Sequence, residues 1–271
     1  MIKNYESLMH SFEDWSNLFK DKKIPYCYEI KGKNQILFYF GANHSRDPKN
    51  HQFDKLRKYW KEFLNETSGQ NCLVLTEGET KKPTDNEEQT IIKYSESGLI
   101  SLLAKREGIE AKSADAGYTQ TTPELLKQFS REEVIYHFFA QMIYIWSRMP
   151  LKNPDFEDEA SRFLNQYKEA VGWTDFDVSL DNMKKIHKKF FNQEFDEAVE
   201  DEKESSFFYN ISNPTKDDTK LNKVARQDTT LRNSYIIQNI KKYWEEKKNL
   251  FIVFGSSHSI MQEPALRKLL K

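Results

Sequence analysis

Apolar residues in the first half of the chain fall in short runs separated by longer stretches of helical spacing, an alternation that predicts a largely parallel sheet covered by helices. Residues 25–30 and 35–40 read as a hairpin across Gly32, the second run being apolar enough for a strand buried on both faces. Phe53, Leu56, Tyr59, Trp60, Phe63 and Leu64 recur at helical spacing, so 53–64 is predicted helical. A strand follows at 71–76, with CLVLT at its heart, and ends at Glu77 and Gly78. A helix over 87–106 stops at Gly108, where a left-handed residue is wanted, and a weaker strand at 109–114 ends at Asp115.

From 121 to 213 the pattern changes to helices without strands. Ser130 and Glu133 form a capping-box pattern that opens a helix over 134–146, and 157–171 and 180–191 are further helical stretches. The acidic run 194–204 reads as a solvated face or loop. A long amphipathic helix over 220–247, a strand at 250–254 and a helix after Pro264 close the chain. The expected fold class is therefore α/β, a mostly parallel sheet flanked by helices and interrupted by an all-helical insertion. Residues 1–120 and 214–271 form the two parts of the core, and 121–213 form the insertion, expected to lie over the active centre as a cover.

A hydrophobic share of 38% with 14% aromatics is enough to close such a core. The 41 basic and 42 acidic residues nearly cancel, which argues against nucleic acid or an anionic membrane as partner. The opening MIKNYESLMHSFEDW lacks the basic start and apolar core of a signal peptide, and the apolar stretch 134–146 falls short of the ~20 residues a membrane span needs. A cytoplasmic protein is expected, with Cys27 and Cys72 as reduced thiols. Nothing in the sequence sets the oligomeric state.

Candidate chemistry gathers where ligands of open parallel sheets bind, beyond the carboxyl ends of the strands. FYFGANH and IVFGSSH are one construction used twice: an apolar strand, a glycine that permits a sharp turn, then a histidine, His44 and His258. Each histidine could simply cap its turn; two copies after two buried strands favour a site. Glu77 ends the second strand, with Glu79 a competitor for its role, and Asp115 occupies the equivalent place on the third. Two imidazoles and a carboxylate are a ligand set that leaves open positions on a divalent metal. Arg232 lies on the helix feeding the last strand, and Asn239 is polar on the face shared with Ile236 and Ile240. His10, His51, His137 and His187 lack such a setting and read as structural.

In order and spacing, YEIKGKNQILFYFGANHS, LTEGE and LRNSYIIQNIKKYWEEKKNLFIVFGSSHS resemble the superfamily that joins the TraB and TIKI proteins with the erythromycin esterases and ChaN-like haem-binding proteins. The resemblance covers most of the α/β core and little of the insertion. It implies that His44, Glu77 and His258 line the active centre with Arg232 beside them, in a divalent-metal protease or an esterase whose histidine activates water. The helix departs from the pattern: it reads RNSYI where many members carry an arginine-acid pair and a methionine.

The expectation is a hydrolase of a small-molecule or peptide substrate, with manganese, cobalt or zinc held by His44, Glu77 and His258, and Arg232, Asn239 and Asp115 contacting substrate. Without a metal, His44 would act as general base, oriented by Glu77. The rival from another class is a protein of the same fold that binds haem or another small ligand without turnover; a domain that has kept the fold and lost its activity is a third possibility.

Overall fold

The computed structural model describes residues 2–147, 155–196 and 202–271. Of the acidic run, 197–201 lie outside the described residues. The architecture is α/β: among the described residues, a five-stranded sheet of order β1-β2-β5-β3-β4 is accompanied by ten α-helices. The strands are β1 (Tyr26–Lys31), β2 (Ile36–Ala42), β3 (Cys72–Thr76), β4 (Glu110–Ser113) and β5 (Asn249–Gly255). Only β1 runs antiparallel, paired with β2 through the expected hairpin. The others are parallel, with β5 between β2 and β3. Their carboxyl ends, bearing both glycine turns and Glu77, therefore share one edge.

The chain divides into two compact units, 1–116 with 232–271, and 117–231. In the first, β2 is buried at every position, as a parallel strand covered on both faces must be. Successive side chains point to opposite faces. Leu37, Tyr39, Leu73, Leu75, Leu250, Ile252 and Phe254 meet Ile236, Ile237 and Ile240 of α9 (Lys220–Glu245) and Ala265 and Leu266 of α10 (Ser256–Leu269). Phe38, Phe40, Val74, Phe251 and Val253 meet Phe53, Leu56, Trp60 and Phe63 of α2 (Gln52–Thr67) and Ile91, Leu99 and Ile100 of α3 (Glu87–Arg106).

Two details differ from the sequence reading. A short amphipathic helix, α1 (Phe12–Asp21), precedes β1, capped by Ser11, whose hydroxyl accepts from Asp14 N–H. The last helix begins at Ser256, directly after β5, and runs through Pro264, so His258 stands in its first turn. The Ser256 hydroxyl shares its proton between Gly41 O and Ala42 O at 2.6 and 2.9 Å, tying the helix start to the end of β2.

The second unit is helical throughout its described residues: α4 (Tyr118–Leu125), α5 (Arg131–Ser147), α6 (Phe156–Val171), α7 (Leu180–Phe191), α8 (Glu202–Ser212) and the first part of α9. The capping box at the start of α5 forms, with Glu133 N–H donating to Ser130 Oγ and Ser130 N–H to Glu133 Oε2. The core of this unit is aromatic, with Tyr136, Phe139, Tyr167 and Phe208 almost wholly buried. His187 is buried there beside the Tyr136 hydroxyl. Among the described residues, no helix is long and apolar enough to cross a membrane.

Candidate functional site

Glu77 leaves the end of β3 and turns toward β5, where its Oε2 accepts the Gly255 N–H at 2.8 Å. That contact fixes the carboxylate between the two histidines. Oε2 lies 3.5 Å from His44 Nε2, and Oε1 lies 3.6 Å from His258 Nε2. Arg232, from α9, brings Nη2 within 3.6 Å of Oε1. Burial alone would raise the Glu77 pKa, but His258, His44 and Arg232 outweigh it and keep the group ionised.

Gly255 is required by close approach. A Cβ there would stand 2.6 Å from His44 Nε2, although its φ of −56° is one that any residue adopts. Gly255→Ala is accordingly expected to displace the His44 ring and reduce activity while costing stability about 1–3 kcal/mol, as overpacking does. Urea denaturation of the variant alongside its turnover checks both, and unchanged turnover would show that the ring position does not matter.

The two histidines have opposite surroundings. His258 is buried, and its Nδ1 donates to Asn233 Oδ1 at 2.9 Å. The same oxygen accepts from Gln262 Nε2 at 2.7 Å, and Gln262 Oε1 accepts from the Tyr39 hydroxyl at 2.9 Å. Burial pushes the Tyr39 phenol well above its ordinary pKa, so it stays a donor and sets the direction of the chain. This chain places a hydrogen on Nδ1 of His258, while Nε2 lies beside the Glu77 carboxylate. Burial also lowers the His258 pKa, against the pull of Glu77.

His44 presents most of its side chain to solvent and has a carboxylate beside each ring nitrogen: Glu96 Oε2 at 3.4 Å from Nδ1 and Glu77 Oε2 at 3.5 Å from Nε2. Two acceptors call for two donors, the imidazolium form. The Glu96 hydrogen bond, with Glu77 adding to it, pushes the His44 pKa up to about 9.

Asp115, at the end of β4, takes Arg232 in a two-pronged bond, Oδ1 to Nε at 3.2 Å and Oδ2 to Nη2 at 2.7 Å, and accepts Gly78 N–H at 3.1 Å. Burial would raise its pKa, but the guanidinium holds it below the usual range. Asn239 donates to Ala114 O at 3.1 Å, tying α9 to the strand end, and Glu79 is exposed. Among the described residues, no three His, Cys, Asp or Glu side chains are arranged as a metal-ligand set, and Glu77 Oε2 is already engaged by a backbone N–H.

No family model, curated protein or solved structure matches this chain.

Glu96, Asn233 and Gln262 complete the site and escaped sequence reasoning. Asn233 was within reach: it adjoins Arg232 and precedes Ile236 and Ile237, both wholly buried, by one turn of the same helix. Glu96 gives no local signal, since an acidic residue in mid-helix ordinarily reads as solvated.

Proposed function

We propose that this chain is a hydrolase of small or peptide-like acyl substrates, with His258 as base and His44 as acid on either side of Glu77. The observation that carries this reading is the bridging carboxylate, which offers one oxygen to each imidazole Nε2 at 3.6 and 3.5 Å. Two titratable groups whose environments drive their pKa values apart are suited to divide acid and base duties. Water attacks the acyl carbon while His258 Nε2 takes its proton; His44 gives a proton to the leaving oxygen or nitrogen. The products are an acid and an alcohol or amine. His258 is then charged and His44 neutral, and a proton passed through Glu77 restores the starting state. Arg232, oriented by Asp115, adds a fixed positive charge near the developing oxyanion. Membership of the superfamily that this chain resembles, through both Gly-x-x-His motifs, Glu77 and Arg232, is part of the same proposal.

The test is a screen of esters, lactones and peptides with the purified protein, in chelator and with manganese, cobalt or zinc added separately. Turnover that persists in chelator supports side-chain chemistry; strict dependence on one ion would replace it with a metal-held water. Binding of haem without turnover of any substrate would favour the ligand-binding alternative.

The pH dependence follows from the directions of the shifts. The base works only when His258 is neutral, so kcat/KM should fall as pH drops through a value below 6.5. The acid works only while His44 is charged, so the rate should fall again as pH rises through about 9. A rate that keeps rising past that limb would remove His44 from its role.

A further inference from the structure

We propose that Glu96 is the positioning residue of this centre: it holds the His44 ring with Nδ1 protonated, and the break in α3 serves to bring it there. Its consequence for catalysis rests on the hydrolase reading; its hold on His44 does not.

The Glu96 side chain is buried, yet every oxygen is used. Oε1 accepts Ser45 N–H at 2.7 Å and Gln52 Nε2 at 2.8 Å. Oε2 faces His44 Nδ1 at 3.4 Å and accepts the Ser95 hydroxyl. Gln52 is fixed in turn, its Oε1 accepting Asn43 N–H at 3.0 Å. The carboxylate thus binds the segment on both sides of His44 as well as the ring, and the ring cannot turn without opening that network.

The backbone is shaped to the same end. Ser95 interrupts α3 at φ 56° and ψ −145°, outside the helical region, and His44 itself has φ 22°. Neither is glycine, so both conformations must be held by their surroundings. The single Ser95 hydroxyl proton is shared between Glu96 Oε2 and Ser45 O, the latter at 2.7 Å, which joins the two unusual segments. A regular α3 would carry residue 96 along another direction, and the interruption falls at the residue just before it.

The experiment uses protein labelled with 15N-histidine, in which the His44 signal, one of six, is assigned by its loss in His44→Gln. The wild type should give a slowly exchanging, downfield Nδ1–H signal for His44. Glu96→Gln should lose it, because an amide NH2 turned to the ring offers a second donor, while Glu96→Asp, which keeps the carboxylate, should restore it in part. Gln52→Ala touches Glu96 but not His44; it should lower the melting temperature and leave the signal in place. In the same variants kcat should fall about 10²- to 10⁴-fold in Glu96→Gln with KM little changed, and recover partly in Glu96→Asp. An unchanged His44 signal in Glu96→Gln, or loss of it in Gln52→Ala to the same degree, overturns the proposal whatever the hydrolysis screen finds. A signal that responds as expected in a protein that hydrolyses nothing would instead sustain Glu96 and defeat the hydrolase reading.

Discussion

Replacing His258 by alanine is expected to lower kcat for the substrate found by the screen about 10²- to 10⁴-fold, the usual worth of a positioned acid or base. A buried chain from Tyr39 through Gln262 and Asn233 occupies its Nδ1 and leaves Nε2 beside Glu77. His44→Ala should fall in the same range, for the acid is then missing from the cycle. Combining the two should cost little more than the worse single change, since base and acid act as a unit through one carboxylate. Steady-state kinetics on the three proteins, with near-UV circular dichroism to establish folding, provides the comparison. Fully additive losses would mean that the two rings work independently, and wild-type rates in either single variant would remove that ring from the mechanism.

Phe251→Ala is expected to destabilise the first unit by about 3–5 kcal/mol, the cost of emptying a large aromatic site in a packed core. Phe251 is wholly buried in β5, with Trp60 at 5.1 Å, Phe63 at 5.4 Å and Tyr59 at 5.8 Å between ring centroids. These neighbours are held by both α2 and the sheet, so little collapse into the cavity is available to them. Against a total stability of about 5–15 kcal/mol, the loss is large, and β5 carries the Gly255 turn at its end. Urea unfolding should show a lower midpoint with an unchanged slope. A loss below about 1 kcal/mol would mean that the site relaxes freely, contrary to the packing described here.

The parts of the site that were legible in the sequence are those announced by a local pattern. His44 and His258 each follow an apolar strand and a glycine, Glu77 and Asp115 each end a strand, and Arg232 lies on the helix that enters the last strand. Parallel strands bring their carboxyl ends to one edge, so residues with that local signature meet there. Asn239 illustrates the limit. Its polar character on an apolar face marks it out in the sequence; its side chain bonds to Ala114 O beside Asp115, while Asn233 is the neighbour of the histidine. Both residues sit on the same helix among apolar positions, and only the approach of α10 distinguishes them.

Strand runs, helical spacing and turn residues act over a few positions, so the sequence by itself determined the α/β class, the five strands and the placement of five polar side chains at strand ends and on the entering helix. Which partner meets each ring nitrogen was decided by tertiary structure alone. The Glu77 carboxylate meets Gly255 across 178 positions, and Glu96 meets His44 across 52. Such pairings depend on β5 inserting between β2 and β3 and on the break in α3 at Ser95. A charge that reads as solvated in sequence becomes a positioning group once burial removes competing water and leaves the imidazole as its partner.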